Sequence, residues 1–259
     1  MALSATAPFH ADATRVERAI GNAAAATSVD FSYLLGQARI ESGLNPAAAA
    51  RTSSATGLFQ FIEQSWLEQI GKHGAKYGLA DASTAVRQTQ GGRYHVDDPS
   101  VRQQILDLRK NPEIAAAMAA EYAASNRQLL SRELGREVQG VDLYLAHFLG
   151  TGGATKFLKL HDANPDAAAA QAFPAAARAN RAIFYAADGQ PRSLGDIRDR
   201  FAQKLGVTEG RPAAAQPVRH VQPADYLRIA RTNAADTPQT MPQSAKLAYL
   251  MLASLGMSA

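Results

Sequence analysis

Apolar residues recur at spacings of three and four along most of the chain, and strict alternation of apolar and polar residues is rare. This spacing predicts helices, which open at a capping residue or a proline and mostly close at a glycine. The first three predicted helices run from Asp12 to about Ser28, from Asp30 to Gly43 and from Gly57 to Gly74. The pattern therefore predicts an all-α fold.

Further helix boundaries follow in the second half of the chain. Asp98 and Asn111, each followed by proline, open two helices, the second of which is long, alanine-rich and ends at Gly135. A short apolar helix is predicted to end at Gly150, followed by a glycine-rich turn. The stretch over 78–96 is rich in Gly, Gln, Ser and Thr, and we expect a long loop there that serves as a binding loop or lid.

Composition shifts near residue 206, after a predicted helix that Ser193 and Asp196 open with a capping box. We predict a compact domain over 1–206, a Pro/Ala-rich linker or surface wrap over 207–243, and an amphipathic C-terminal helix over 244–259. The apolar stripe of that last helix fits two alternatives. It docks on the chain's own domain, or it binds a protein partner such as a secretion or flagellar component.

The composition of the 259 residues excludes several function classes. No cysteine is present, so disulfides, thiolate metal sites and cysteine nucleophiles are excluded. No apolar run approaches the ~20 residues of a membrane span, and no signal peptide is visible at the start of the chain. The net charge of +4 suits an anionic partner. Nucleic acid, a membrane surface and an acidic wall polymer all remain open on charge alone, although the aromatic interleaving typical of nucleic-acid binding is missing.

Glu41 is the most informative single residue. It follows three apolar residues at spacings of three, four and three: Phe31, Leu34 and Ala38. A carboxyl on an apolar face at a helix C-terminus has its pKa raised both by burial and by the helix dipole, which suits a general acid. On spacing alone, two alternatives remain: Glu41 ends its helix at the surface, or it pairs with an arginine such as Arg39 or Arg51.

Two sequence blocks surround this glutamate: E-S-G-L-N-P at 41–46 and S-A-T-G-L-F-Q at 54–60. Together they resemble the soluble lytic transglycosylase (SLT) domain, whose hallmarks are E-S-x-x-N-P followed by a serine-containing loop and G-L-M-Q. The resemblance covers roughly residues 15–205. It implies a helical, lysozyme-like (goose-type) domain in which Glu41 is the sole catalytic acid/base, acting on the β-1,4 bond between N-acetylmuramic acid and N-acetylglucosamine in peptidoglycan.

A third block of the family, commonly A-Y-N-A-G, has its best match in A-H-F-L-G at 146–150. Only the first alanine and the glycine agree, so the chain departs from the family here. The family tyrosine lies near the catalytic acid. Either His147, which replaces it, or Tyr144, one turn earlier, would supply the polar contact, and the sequence does not choose between them.

The neighbourhood of Glu41 offers no obvious second catalytic carboxyl, because Glu63 is expected to be exposed and Asp97 and Asp98 to be capping residues. The resemblance implies that the muramic acid 6-hydroxyl attacks its own anomeric carbon, which leaves a 1,6-anhydro end. Two alternatives are a lysozyme-type muramidase that uses water, and an inactive wall-binding or assembly protein on the same scaffold. The implied substrate places the protein in the periplasm or cell wall.

Four residues of the first half are candidates for substrate contact. Ser54 and Gln60 suit hydrogen bonds to sugar hydroxyl or acetamido groups, and Phe59 and Tyr94 suit the apolar faces of sugar rings. Turn formation is the alternative for Ser54, and core packing is the alternative for Phe59, which replaces the family's methionine. The six histidines are scattered without metal-binding spacing, so we expect neither a metal nor another cofactor.

Overall fold

The structure is a computed structural model that describes residues 7–51 and 53–206, with side chains from Thr14 onward. The predicted linker over 207–243 and the predicted helix over 244–259 lie outside the described residues. The described chain is mostly helical, with eleven α-helices and one two-stranded sheet. Contacts divide it into two compact units that meet in sequence between Tyr122 and Ala123. Within these ranges, no helix has both the length and the apolarity needed to cross a bilayer.

The first unit contains five complete helices, a hairpin and the start of a sixth helix. These are α1 (Ala7–Thr27), α2 (Phe31–Ser42), α3 (Glu63–His73), α4 (Ala80–Ala85), β1 (Arg87–Gln88), β2 (Tyr94–His95), α5 (Pro99–Asp107) and the first half of α6 (Pro112–Leu134). Helix α1 packs on α2, and α3 packs on α4 and α5. Trp66 of α3 is fully buried and its indole N–H donates to the Ile105 carbonyl at 2.7 Å, which joins α3 to α5.

Local capping sets the bounds of α2, the helix that bears Glu41. The Asp30 carboxylate accepts a hydrogen bond from the Tyr33 backbone N–H at 2.9 Å, and Gly43 ends the helix with a left-handed φ of 63°. Both caps were predicted from the sequence. Residues such as Asp and Gly fix helix ends through contacts made within one turn, so a sequence pattern suffices to find them.

Two predicted helix starts are wrong. Helix α1 begins at Ala7, so Asp12 lies inside the helix and does not cap it. Helix α3 begins at Glu63, because the residues before it form a turn in which Thr56 bridges to Phe61 and Gln60 takes a φ of 48°. The apolar spacing that suggested an earlier start comes from residues buried in that turn.

The predicted long loop over 78–96 contains regular structure. Besides α4, it forms an antiparallel pair in which Arg87 faces His95 and Gln88 faces Tyr94. The Gln64 side-chain amide holds this hairpin to α3, accepting from the Tyr94 N–H at 3.0 Å and donating to the Tyr94 carbonyl at 2.9 Å. A side chain outside the segment thus orders it.

The second unit contains the rest of α6 and five further helices. These are α7 (Gly140–Ala163), α8 (Ala169–Ala172), α9 (Pro174–Ala179), α10 (Arg181–Phe184) and α11 (Leu194–Leu205). Gly150 has φ 70° and ψ 163°, so the predicted end of the apolar helix is a kink, and the predicted glycine-rich turn after it is helical. Phe201 of α11 packs edge-on against Tyr144 and Phe148 of α7. The capping box of Ser193 and Asp196 forms as predicted.

Candidate active site

Glu41 lies in the last turn of α2 and is buried, with 2% of its surface exposed. The alternative that places it at the surface is therefore wrong. Arg39 and Arg51, the arginines considered as partners, both have exposed side chains. A carboxyl at this position faces the negative end of the helix dipole, so its location is not explained by helix electrostatics.

Three buried polar residues follow one another along the face of α2 at spacings of four: Tyr33, Gln37 and Glu41. Burial raises the pKa of Tyr33 well above its ordinary value, and the charges of Tyr122 and Glu41 raise it further. Tyr33 therefore stays a neutral phenol on the same face of α2 as Glu41. Sequence reasoning missed Tyr33 and Gln37, although their helical spacing from Glu41 was a signal that points to both.

Ser42 connects the end of α2 to the turn that holds the second sequence block. Its hydroxyl donates to the Leu58 carbonyl at 2.8 Å, and the Ala38 carbonyl lies 3.1 Å away. The residue next to Glu41 is thus attached to the centre of the G-L-F-Q turn. The two blocks that were separate in sequence form one substructure.

The turn over 54–61 depends on a glycine. Gly57 has a φ of 85°, and a Cβ at this position would lie 1.9 Å from the Arg109 carbonyl oxygen. Its N–H donates to the Ala48 carbonyl at 2.7 Å. No residue with a side chain fits here without moving the backbone of Arg109.

Arg109 binds the same turn with its side chain. One guanidinium nitrogen, Nη1, donates to the carbonyls of Ser54 at 2.6 Å and Phe61 at 3.2 Å, while Nε donates to the Leu106 carbonyl at 2.8 Å. Arg109 is 8% exposed, and burial lowers the pKa of its guanidinium. Sequence reasoning missed this residue, since nothing in its own segment points to partners about fifty positions away.

The candidate substrate contacts of the turn have well-defined surroundings. Ser54 is exposed, and its hydroxyl accepts from the Glu63 N–H at 3.2 Å at the start of α3, which is a local structural role. The Gln60 side-chain amide is buried and donates to the carbonyls of Gly57 at 2.8 Å and Ala48 at 3.1 Å. Its Oε1 is buried and has no hydrogen-bond partner in the described structure. Sugar contact by Ser54 and Gln60 stays a prediction.

Phe59 is a core residue with 2% of its surface exposed. Of the two alternatives stated for it, the structure supports core packing. The expectation that Phe59 covers a sugar face is corrected, because a side chain with this burial has no free face to offer a ligand.

The remaining candidates are divided between the two units. Tyr94 is half-buried in β2 of the first unit, where Gln64 holds its backbone. Tyr144 and His147 belong to α7 in the second unit, with their rings 5.9 Å apart. Tyr144 is buried against Phe201, and His147 is half-buried. The structure therefore groups Glu41 with the 54–61 turn, and groups Tyr144 with His147.

The other carboxylates named in the sequence have structural contacts. Glu63 forms a two-point ion pair with Arg102, at 2.5 and 3.1 Å. Asp98 caps α5 by accepting from the Ser100 N–H at 2.7 Å, and exposed Asp97 faces His95 at 3.2 Å. Among residues 7–51 and 53–206, no group of three or more His, Asp or Glu side chains is arranged to hold a metal ion.

No model of a known protein family matches this chain. The chemistry of the site must be argued from its residues. A buried carboxyl at the end of a helix, on the same face as a neutral phenol and adjacent in sequence to a serine bound to the turn, is suited to giving and taking one proton within a shielded environment.

Proposed function

We propose that the protein is a peptidoglycan lytic transglycosylase of the SLT type with a lysozyme-like fold, and that Glu41 is its acid/base. The observation that supports this most directly is the burial of Glu41 together with the Ser42–Leu58 hydrogen bond. The two sequence blocks of the resemblance thereby meet at Ser42, the residue next to Glu41. The substrate is the bond between N-acetylmuramic acid and N-acetylglucosamine in the glycan strand.

The reaction uses one carboxyl twice. Glu41 first donates its proton to the glycosidic oxygen as the bond from that oxygen to the muramic acid C1 breaks. The muramic acid 6-hydroxyl oxygen then bonds to C1, and its proton returns to the Glu41 carboxylate. The products are a strand ending in N-acetylglucosamine and a 1,6-anhydromuramic acid end. Neither water nor a redox partner is consumed.

The surroundings of the other carboxylates favour this reaction over hydrolysis. A hydrolase of the usual kind needs a second carboxyl as nucleophile or base. Glu63 is paired with Arg102, and Asp98 is used as a helix cap. The lysozyme-type muramidase remains the second candidate because water could take the place of the 6-hydroxyl at the same buried acid.

The proposed substrate places the protein at the peptidoglycan of the periplasm or cell wall. The net charge of +4 suits this anionic polymer. The proposed partner of the C-terminal helix, a secretion or flagellar component, stays a prediction because that helix lies outside the described residues.

The deciding experiment is mass spectrometry of purified glycan strands digested by the wild type, Glu41→Gln and Glu68→Gln. We expect 1,6-anhydro ends from the wild type, a loss of at least about 100-fold in rate for Glu41→Gln, and no change for Glu68→Gln. Glu68 is a suitable control because it pairs with Lys72 at the surface of α3.

Each contrary result identifies an alternative. Reducing muramic acid ends would support the muramidase. A wild type that binds glycan strands without cleaving them would support the wall-binding protein. Equal rates for the wild type and Glu41→Gln would exclude Glu41 as the acid.

A further inference from the structure

One guanidinium joins the two ends of the turn over 54–61. The carbonyls of Ser54 and Phe61 lie seven positions apart, and both accept from Arg109 Nη1. Between them, Gly57 packs against the Arg109 carbonyl at a distance that excludes a Cβ. Arg109 therefore fixes the turn at three points, two through its side chain and one through its backbone.

The charge of Arg109 is costly where it lies. A buried guanidinium loses hydration, and only hydrogen bonds or an ion pair offset that loss. Among the described residues Arg109 forms no direct ion pair; the charges of Glu63 and Asp107 partly offset its burial, and its side chain donates to three neutral carbonyls. The directions in which the guanidinium donors point match the positions of these three carbonyls. A planar guanidinium holds several acceptors at fixed angles, which an ammonium group does not.

The 54–61 turn, which Arg109 fixes, is connected to Glu41 through Leu58 and Ser42. Leu58 follows Gly57 directly, and its carbonyl accepts from the Ser42 hydroxyl at 2.8 Å. Ser42 is the neighbour of Glu41 in the last turn of α2. A displacement of the turn would move the Leu58 carbonyl and release Ser42, and misplacement of a catalytic group by about 1 Å costs on the order of 100-fold in rate.

We propose that Arg109 is a positioning residue for Glu41, acting through the 54–61 turn and Ser42 without touching the substrate. The inference rests on the proposed function for its effect on catalysis. Its effect on the turn itself is independent of any activity.

The test compares Arg109→Lys with Arg102→Lys. Arg109→Lys keeps the charge but loses the planar donor geometry. Arg102→Lys makes the same chemical change in the same unit, at a partly exposed arginine that contacts Glu63 and none of the turn's carbonyls. For Arg109→Lys we expect kcat to fall by about 10- to 100-fold, KM to change by less than about threefold and the pH profile of kcat to shift. Arg102→Lys should match the wild type.

Amide hydrogen exchange supplies the readout that needs no activity. The Gly57 N–H donates to the Ala48 carbonyl and the Gln60 N–H to the Gly57 carbonyl. In Arg109→Lys, these two amides should exchange at least about tenfold faster than in the wild type, while those of α7 in the second unit keep their rates. Circular dichroism of each variant gives the folded fraction used to correct kcat.

The outcomes separate this inference from the proposed function. If kcat of Arg109→Lys falls only in proportion to the fraction of protein that is folded, with KM and the pH profile unchanged, the positioning role is overturned. The proposed function then stands. A wild type without product would refute the function and with it the catalytic effect, whereas unchanged exchange at Gly57 and Gln60 would overturn the constraint on the turn.

Discussion

Two buried acids, one in each unit, occupy opposite ends of their helices. Asp142 lies in the first turn of α7, fully buried, and Glu41 lies in the last turn of α2. Asp142 accepts from the Gln139 N–H at 3.1 Å as part of a capping box, and it contacts Arg136 at 2.7 Å and Arg198 at 3.4 Å. The helix dipole stabilises a negative charge at Asp142 and destabilises one at Glu41.

Asp142 thus stabilises the fold. Stability does not explain the position of Glu41. Asp142 contacts two arginine side chains and a backbone N–H at the start of its own helix. Next to Glu41, Ser42 is bound to Leu58, and the turn that contains Leu58 is bound to Arg109. These contacts hold the end of α2 that bears Glu41 against the turn, at a helix terminus where the dipole does not stabilise a negative charge.

The largest effect on stability is expected at Asp142. Asp142→Asn leaves Arg136 and Arg198 without their buried countercharge and should lower the free energy of unfolding by about 3–5 kcal/mol. Urea denaturation measures this. Asp162→Asn is the matched control, because Asp162 contacts the same Arg136 at 3.3 Å from an exposed position and should cost less than about 1 kcal/mol. Equal losses for the two variants would show that burial of Asp142 adds nothing.

The second-largest loss of stability is expected at Gly57, in the turn bound to the end of α2, and involves no change of charge. Gly57→Ala should lower the free energy of unfolding by about 3 kcal/mol, since the new Cβ meets the Arg109 backbone. Gly43→Ala is the control: its φ is also positive, but nothing lies within 4 Å of the added Cβ, so only the backbone term of about 1 kcal/mol applies. If thermal denaturation gives equal losses for both, close packing does not fix the turn.

The same contrast explains which parts of the molecule the sequence predicted. The caps at Asp30, Gly43 and Ser193 were found because their partners lie within one turn of helix. Helical spacing placed Glu41 on the apolar face of α2 but left open whether it is buried, which the structure shows. These features depend on residues close together in the chain, where a pattern of residue types is informative.

Features that depend on distant residues were missed. The β1–β2 hairpin is held by Gln64, thirty positions before Tyr94, and the 54–61 turn by Arg109, 48 and 55 positions from its two acceptors. The early start expected for α3 was wrong for the same reason, because Phe59 and Phe61 are buried by a turn that only these distant contacts fix. The residues that surround each position in the sequence do not indicate such long-range contacts.

Like Asp142, Glu121 in the first unit is a buried acid that binds neighbouring side chains. The pH dependence of stability tests its contribution. Glu121 accepts from Tyr77 at 2.6 Å and pairs with Lys76. Burial alone would raise its pKa, but the hydrogen bonds from Lys76 and Tyr77 outweigh burial and lower it below 4.5. For nearby His73, burial itself lowers the pKa below 6.5, and the charge of Glu121 partly opposes this shift.

Both shifts predict loss of stability in acid. In each case, the unfolded chain takes up a proton at a higher pH than the folded one, so stability rises with pH across the interval between the two pKa values. The melting temperature should fall as pH drops below 6.5, because His73 then gains a proton on unfolding, and fall again below 4.5, where Glu121 does. Glu121→Gln should weaken the second decrease. A variant that keeps the full decrease below pH 4.5 would assign it to other groups.

The smallest effect on stability is expected at Glu41, although the effect on activity there is the largest. Glu41→Gln keeps the size of the side chain and replaces a carboxyl group at the end of α2 where the helix dipole disfavours a negative charge. The free energy of unfolding should therefore stay constant or rise by up to about 1 kcal/mol. Urea denaturation of Glu41→Gln and Asp142→Asn gives the comparison directly: we expect a large loss for Asp142→Asn and no loss for Glu41→Gln. A loss above about 2 kcal/mol for Glu41→Gln would class Glu41 with Asp142 as a stabilising acid, and the burial of its carboxyl would then no longer favour a role in proton transfer.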